Sequence, residues 1–294
     1  MQLTLRTNMA DYPNTLALKQ GRVTSDIVNL DFSAAPKAAH NGFKPMIRNR
    51  AFDAGELAIV TYLQARAIGK PWVMLPMPVL GRHQHHCIGF NGEFGHLNPK
   101  DIEGKKVGIR SYAQTTGLWV RGILQHEYGV DIGKVQWMTV DEGHLTEYPD
   151  PPNSERLPAG SSLPEMMLKG ELAAAILGQE MPKDDRISTL IPDPHAASRQ
   201  WCDREGVIPI NHVFVVHEQV SKERPDVVRE IYRMLTESRA QAPAEALQTL
   251  PPPGLEANRK GLQLAIDWAL DQKLIHRRLS VDELFDETTA LVDA

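Results

Sequence analysis

Short apolar runs recur along this chain at intervals that leave room for a helix between them, and this alternation restricts the fold more than any other feature. The runs read as strands are LTLRT from Leu3, VNLDF from Val28, LAIVTYL from Leu57 and PWVMLPMPVL from Pro71. They continue with KKVGIRS from Lys105, VQWMTV from Val135, AAAILG from Ala173 and NHVFVVH from Asn211. Apolar positions three and four apart predict helices over 115–128 (Leu118, Val120, Ile123, Leu124) and 163–169. The expectation is an α/β fold with parallel or mixed sheets. Beyond residue 222 the pattern turns helical, over 222–246 and 255–294, with LPPPG from Leu250 between the two blocks. These helices can cover their own lobe or another copy of the chain, so a homo-oligomer stays open. Residues 146–162, TEYPDPPNSERLPAGSS, read as a polar, proline-rich loop.

With 294 residues the chain exceeds one ordinary core, which predicts two lobes. A net charge of −5 and the lack of a Lys/Arg run argue against a nucleic-acid or anionic-membrane partner. The first residues, MQLTLRTNMADYPNT, show no basic segment followed by an apolar one, and no window nears the roughly 18 apolar residues of a membrane span. A cytoplasmic location is the expectation. Cys87 and Cys202 are read as two unpaired, largely buried thiols.

Two stretches carry candidate chemistry. In GRHQHHC, from Gly81, three of the chain's 11 histidines fall within four positions, behind Arg82. A strand over 82–90 would place His83 and His85 on one face and His86 on the other. Imidazoles at this density suit proton transfer near neutral pH. They also suit a divalent metal, for which His83 and His85 would need help from His144, Glu147 or His212. No H-x-x-x-H or CxxC pattern supports zinc, so no cofactor is expected and a metal stays open. The second stretch, KKVGIRSYAQTTGLW, delivers Ser111, Tyr112, Gln114, Thr115 and Thr116 to a helix start, where free N–H groups favour an anion. The alternative is that Thr115 or Thr116 simply caps that helix. Arg121 further along can hold a carboxylate or pair with Glu127 at the surface. Thr61 and Tyr62 are placed at the end of a strand, and Asp11 and Tyr12 just after the first one, where parallel sheets present ligand contacts. His212 precedes the last apolar strand.

The phrases IEGKKVGI (from Ile102) and LPEMMLKGELAAAILG (from Leu163) resemble the second lobe of the type II periplasmic-binding-protein fold. More narrowly, RNRAFDAGELAIVTYL, RHQHHCIGFN, LWVRGILQHEYGV and GVIPINHVFVVH resemble, in order, the 4,5-dihydroxyphthalate decarboxylase family. Where relatives read PEYQMTAPVW this chain has RSYAQTTGLW, which puts Ser111 at an acidic position. The resemblance implies two α/β lobes with mixed sheets, helices on both faces and a ligand cleft between the lobes. Lobe 1 would comprise 1–95 and 200–294, and lobe 2 would comprise 96–199. It also implies non-oxidative decarboxylation of a hydroxylated, phthalate-like acid by histidine acid/base catalysis. The catalytic residues would be His83, His85, His86 and His212. The substrate contacts would be Arg82, Asp11, Thr61, Tyr62, Ser111, Tyr112, Gln114, Thr115, Thr116 and Arg121. The alternative implied by the same fold is a solute-binding protein that passes a small aromatic carboxylate to an ABC-type transporter.

Overall fold

The computed structural model describes residues 2–293. Its strands are β1 (Leu3–Asn8), β2 (Val28–Asp31), β3 (Ala54–Ala58), β4 (Trp72–Gly81), β5 (Ile88–Asn91), β6 (Lys106–Ile109), β7 (Gln136–Thr139), β8 (Ser154–Arg156), β9 (Ala174–Ile176), β10 (Ile187–Thr189) and β11 (Ile210–His217). They form two sheets, and the chain divides into two compact units. Unit 1 comprises 1–82, 207–270 and 274–294, and unit 2 comprises 83–206 and 271–273. Residues 83–95 and 200–206 therefore belong to the second unit.

Unit 1 holds the sheet β2-β1-β3-β11-β4. β1 pairs in parallel with β2 and β3, whereas β11 runs antiparallel to both β3 and β4. Gly55 is required where β1 and β3 meet: its φ is +141°, and a Cβ there would lie 2.2 Å from the Asn8 carbonyl oxygen. The apolar face of helix Pro225–Ala240 (Val227, Val228, Ile231, Met234, Leu235) joins Leu5, Val28, Leu30, Val73 and Leu75 in one core. At least this part of the helical C-terminal third packs on its own unit.

Unit 2 holds the sheet β10-β5-β9-β6-β7-β8. β9, β6, β7 and β8 are mutually parallel, and β5 and β10 complete the sheet in antiparallel fashion. Parallel strands need crossovers, and the helix Thr115–Tyr128 supplies the one from β6 to β7. It ends on Gly129 in the left-handed conformation.

Three expectations change. LAIVTYL is not a strand: β3 is AGELA, and helix Ile59–Ala67 follows directly. Residues 59–65 of that helix are all buried, so the run shows neither a two-residue nor a 3.6-residue period and reads as strand or helix alike. Arg82–Asn91 is not one strand either; His85–Cys87 is a single 3₁₀ turn and β5 starts only at Ile88. The proline-rich stretch 146–162 contains β8, which pairs Trp137 with Ser154 and Thr139 with Arg156 on the sheet edge.

Candidate functional site

Each unit gathers its own set of candidate side chains. In unit 1 they centre on Glu56, a residue that the reading of the sequence passed over. The antiparallel register places His212 opposite Ala58 and Phe214 opposite Glu56, so Glu56 and His212 are diagonal neighbours on one face of the sheet. That face is apolar further along, with Ala54, Phe214 and Val216 in the core. It turns polar where β3 ends.

Glu56 is fully buried and its carboxylate is surrounded by donors. Oε2 accepts the Ala10 N–H at 3.1 Å, and Oε1 accepts the Tyr12 hydroxyl at 2.7 Å. His212 Nδ1 lies 2.5 Å from the same Oε1. The edge of Phe43 meets the His212 ring, centroids 5.2 Å apart. His212 Nε2 is not among the hydrogen-bonded atoms of the described residues, and it is not sealed away from solvent. Burial, with the adjacent Glu56 charge, pushes the Tyr12 phenol far above its ordinary range, so it stays a donor. Arg82 exerts the opposite pull on Tyr12, which puts a guanidinium in the same neighbourhood. A buried carboxylate, an imidazole with one nitrogen engaged and a nearby cation suit proton transfer on an anionic molecule.

The remaining unit 1 candidates serve the fold. Thr61 and Tyr62 lie inside the helix, 2% and 0% exposed, and the Tyr62 hydroxyl donates to the Leu284 carbonyl. They do not sit at a strand end as expected, because the helix begins directly after β3. Asp11 is exposed and pairs with Lys19.

Unit 2 holds the other three histidines, packed on helix Pro194–Glu205. His83 Nδ1 lies 3.1 Å from the Ser198 hydroxyl. The His86 ring stacks against His195 with centroids 6.0 Å apart. His85 is only 2% exposed and faces Trp201. Because residues 82–87 are a turn rather than a strand, the shared face of His83 and His85 does not exist. Burial, reinforced by His83 and His86, lowers the His85 pKa to about 4. The ring is therefore mostly neutral at pH 7 and keeps a single N–H to offer. Among the described residues no three His, Cys, Asp or Glu side chains gather as a metal would require. Neither Cys87 nor Cys202 forms a disulfide.

The turn after β6 leads into the helix that begins at Thr115, with Gln114 as its N-cap residue. The N-cap position thus falls to Gln114 rather than to either threonine, and the Gln114 side chain makes no capping bond. Ser111 is 7% exposed, and its hydroxyl has no hydrogen-bond partner; the same holds for Gln114 Oε1. An orphaned buried hydroxyl and an orphaned amide oxygen at a helix start form a polar arrangement that a bound polar group would complete. Arg121, in contrast, is not a surface residue. Its fully buried guanidinium lies 4.0 Å over the Tyr112 ring and donates to Tyr112 O at 2.8 Å and to Gln272 Oε1 at 2.9 Å. Glu127 pairs with Arg204 instead. A separate cavity of about 420 Å³, lined by Tyr112, Gln125, Asp131, Asn153, Asp271 and Lys273 among others, includes no histidine.

The chain has similar proteins both in sequence and in fold. No family model matches it. Over 208 residues it is 24% identical to the 4,5-dihydroxyphthalate decarboxylase of Comamonas testosteroni, a match covering 66% of this chain and 63% of that protein. Over 213 residues it is 25% identical to the 4,5-dihydroxyphthalate decarboxylase of Pseudomonas putida, covering 68% and 81%. In sequence, this chain is similar to the 4,5-dihydroxyphthalate decarboxylases. Its fold is that of the periplasmic binding proteins. The alkanesulfonate-binding protein SsuA from Xanthomonas axonopodis pv. citri superposes with a TM-score of 0.56 at 13% identity, covering 97% of this chain and 99% of that one. SsuA from Escherichia coli, a periplasmic aliphatic sulphonate binding protein, gives 0.58 at 11% identity, covering 97% and 92%. The desulfurization enzyme DSZB gives 0.55 at 11% identity and covers 98% of both chains. No helix of the described residues is long and apolar enough to cross a membrane.

Proposed function

We propose that this chain is a carboxy-lyase that removes CO2, without oxidation, from a hydroxylated, phthalate-like aromatic acid. The sequence likeness to two 4,5-dihydroxyphthalate decarboxylases supports the reaction class. The observation that carries the histidine chemistry is the His212 imidazole, one nitrogen engaged by Glu56 and the other without a hydrogen-bond partner among the described residues.

A ring hydroxyl para to the leaving carboxylate loses its proton to a base, and its electrons move into the ring. The ipso carbon takes up a proton and becomes sp³. Its bond to the carboxylate then breaks, CO2 departs and the electron pair restores the aromatic ring. His212 is the proton-transfer group of unit 1. Arg82, in the same unit, is the group suited to a spectator carboxylate, through a guanidinium fork. In unit 2, the Ser111 hydroxyl and the Gln114 side chain at the start of the following helix suit a polar group of the same class of molecule. His83 and His86 are half-buried and His85 is buried, and all three are candidates for proton transfer.

The solute-binding reading is kept as the second one because two of the similar structures are sulfonate-binding proteins. Purified protein incubated with a panel of hydroxylated phthalates and benzoates separates the two, with CO2 release followed with and without a chelator. Release that ignores the chelator is the expected result. Tight binding without release would replace the proposal with a receptor, and chelator-sensitive release would add a metal to it.

A further inference from the structure

A carboxylate buried in a sheet is costly unless donors and a purpose hold it there. Glu56 has three neighbours able to donate, and two are committed to that role: a backbone N–H, which cannot accept, and a phenol held in its protonated form. The third, His212 Nδ1, faces the same acceptor-only group and so must carry its hydrogen on that nitrogen. In the neutral ring the remaining nitrogen, Nε2, then holds a lone pair.

We infer that Glu56 is the positioning residue of His212: it fixes the Nδ1–H tautomer and makes Nε2 the general base that takes the proton of the substrate's ring hydroxyl. This rests on the decarboxylase reading and assigns a role within it. The hydroxyl proton moves to Nε2, giving an imidazolium whose new charge lies beside the Glu56 carboxylate. The phenolate pair moves into the ring, a proton from solvent water adds at the ipso carbon, and the carbon–carboxylate bond breaks to release CO2. Nε2 then returns its proton to the ring oxygen. Atoms and charge balance as carboxylate plus one proton giving arene plus CO2. Tyr12 and Ala10 hold Glu56 from the other side, so the carboxylate cannot swing away from the imidazole.

The test has two arms. First, ¹⁵N NMR of the wild-type imidazoles at neutral pH, assigned with a His212→Gln control, should show His212 as the Nδ1–H tautomer; an Nε2–H spectrum overturns the inference. This arm needs no substrate, so it stands even if no panel acid is decarboxylated and the functional reading falls. Second, Glu56→Gln presents an amide whose N–H₂ can donate to Nδ1. The expected result is a switch of the His212 signal to the Nε2–H form, with kcat lowered about 100-fold or more and KM changed by less than about three-fold. An unchanged tautomer, or unchanged kcat in a folded Glu56→Gln protein, overturns the assignment. Should Glu56→Gln fail to fold, the wild-type spectrum alone decides.

Discussion

The imidazole of His85 lies against the indole of Trp201 with ring centroids 6.1 Å apart, and its Nδ1 is buried without a hydrogen-bond partner. The ring is therefore held neutral by its surroundings, with a pKa near 4 against an ordinary 6.5. Below pH 6.5 the unfolded chain takes up a proton that the folded chain refuses until about pH 4, so stability falls as the pH drops through that window. Half-buried His83, whose pKa burial also lowers, acts in the same direction. Thermal unfolding followed between pH 7.5 and pH 4 should show a falling Tm, and His85→Leu should flatten that fall. An identical slope in the variant would remove His85 as its source.

His212→Ala should abolish measurable decarboxylation, a loss of about 100-fold or more, while the thermal midpoint moves far less than for a core substitution. Steady-state CO2 release together with calorimetry reads both quantities.

Ser111→Ala should act oppositely on affinity and stability. Removing an orphaned buried hydroxyl leaves stability unchanged or slightly higher, because no bond is lost. If the hydroxyl holds an anionic ligand, KM rises by roughly three- to ten-fold, the worth of about one hydrogen bond. A KM equal to that of the wild type would remove Ser111 from the binding surface.

Arg121→Ala should cost about 3–5 kcal/mol, because Gln272 Oε1 and the Tyr112 carbonyl lose their donor and a void opens under the aromatic rings. Arg121→Lys should recover little of this, since an ammonium cannot serve both acceptors in one plane. Urea unfolding midpoints compare the three proteins.

Gly55→Ala should destabilise unit 1 by at least about 3 kcal/mol, since the methyl group would meet the Asn8 carbonyl oxygen inside van der Waals distance and the backbone stands at φ +141°. A midpoint equal to the wild type's would show that β1 and β3 part without cost.

The α/β class and the run Thr115–Tyr128 were legible because strand composition and helical spacing are local signals. The edge strands β8 and β10, three residues each, were hidden because so short a segment carries no period. His212 was visible as an imidazole ahead of an apolar strand. Glu56 was not, since its role depends on a partner 156 positions away that only the sheet register brings beside it. The signal was there in a weak form: one acidic residue inside AGELA, a segment otherwise built of small and apolar residues. The burial of Arg121 and Thr61 was equally illegible, since polar side chains are ordinarily read as surface groups.

β11 occupies the middle of its sheet, between β3 and β4, yet it is the last strand to be synthesised. A nascent chain that has reached residue 206 already carries most of unit 2 but has only the two flanks of unit 1, with the gap between β3 and β4 unfilled. On the ribosome, then, His212 and Glu56 cannot meet until residue 212 has emerged, and any fragment ending before Ile210 would expose two facing sheet edges to neighbouring chains.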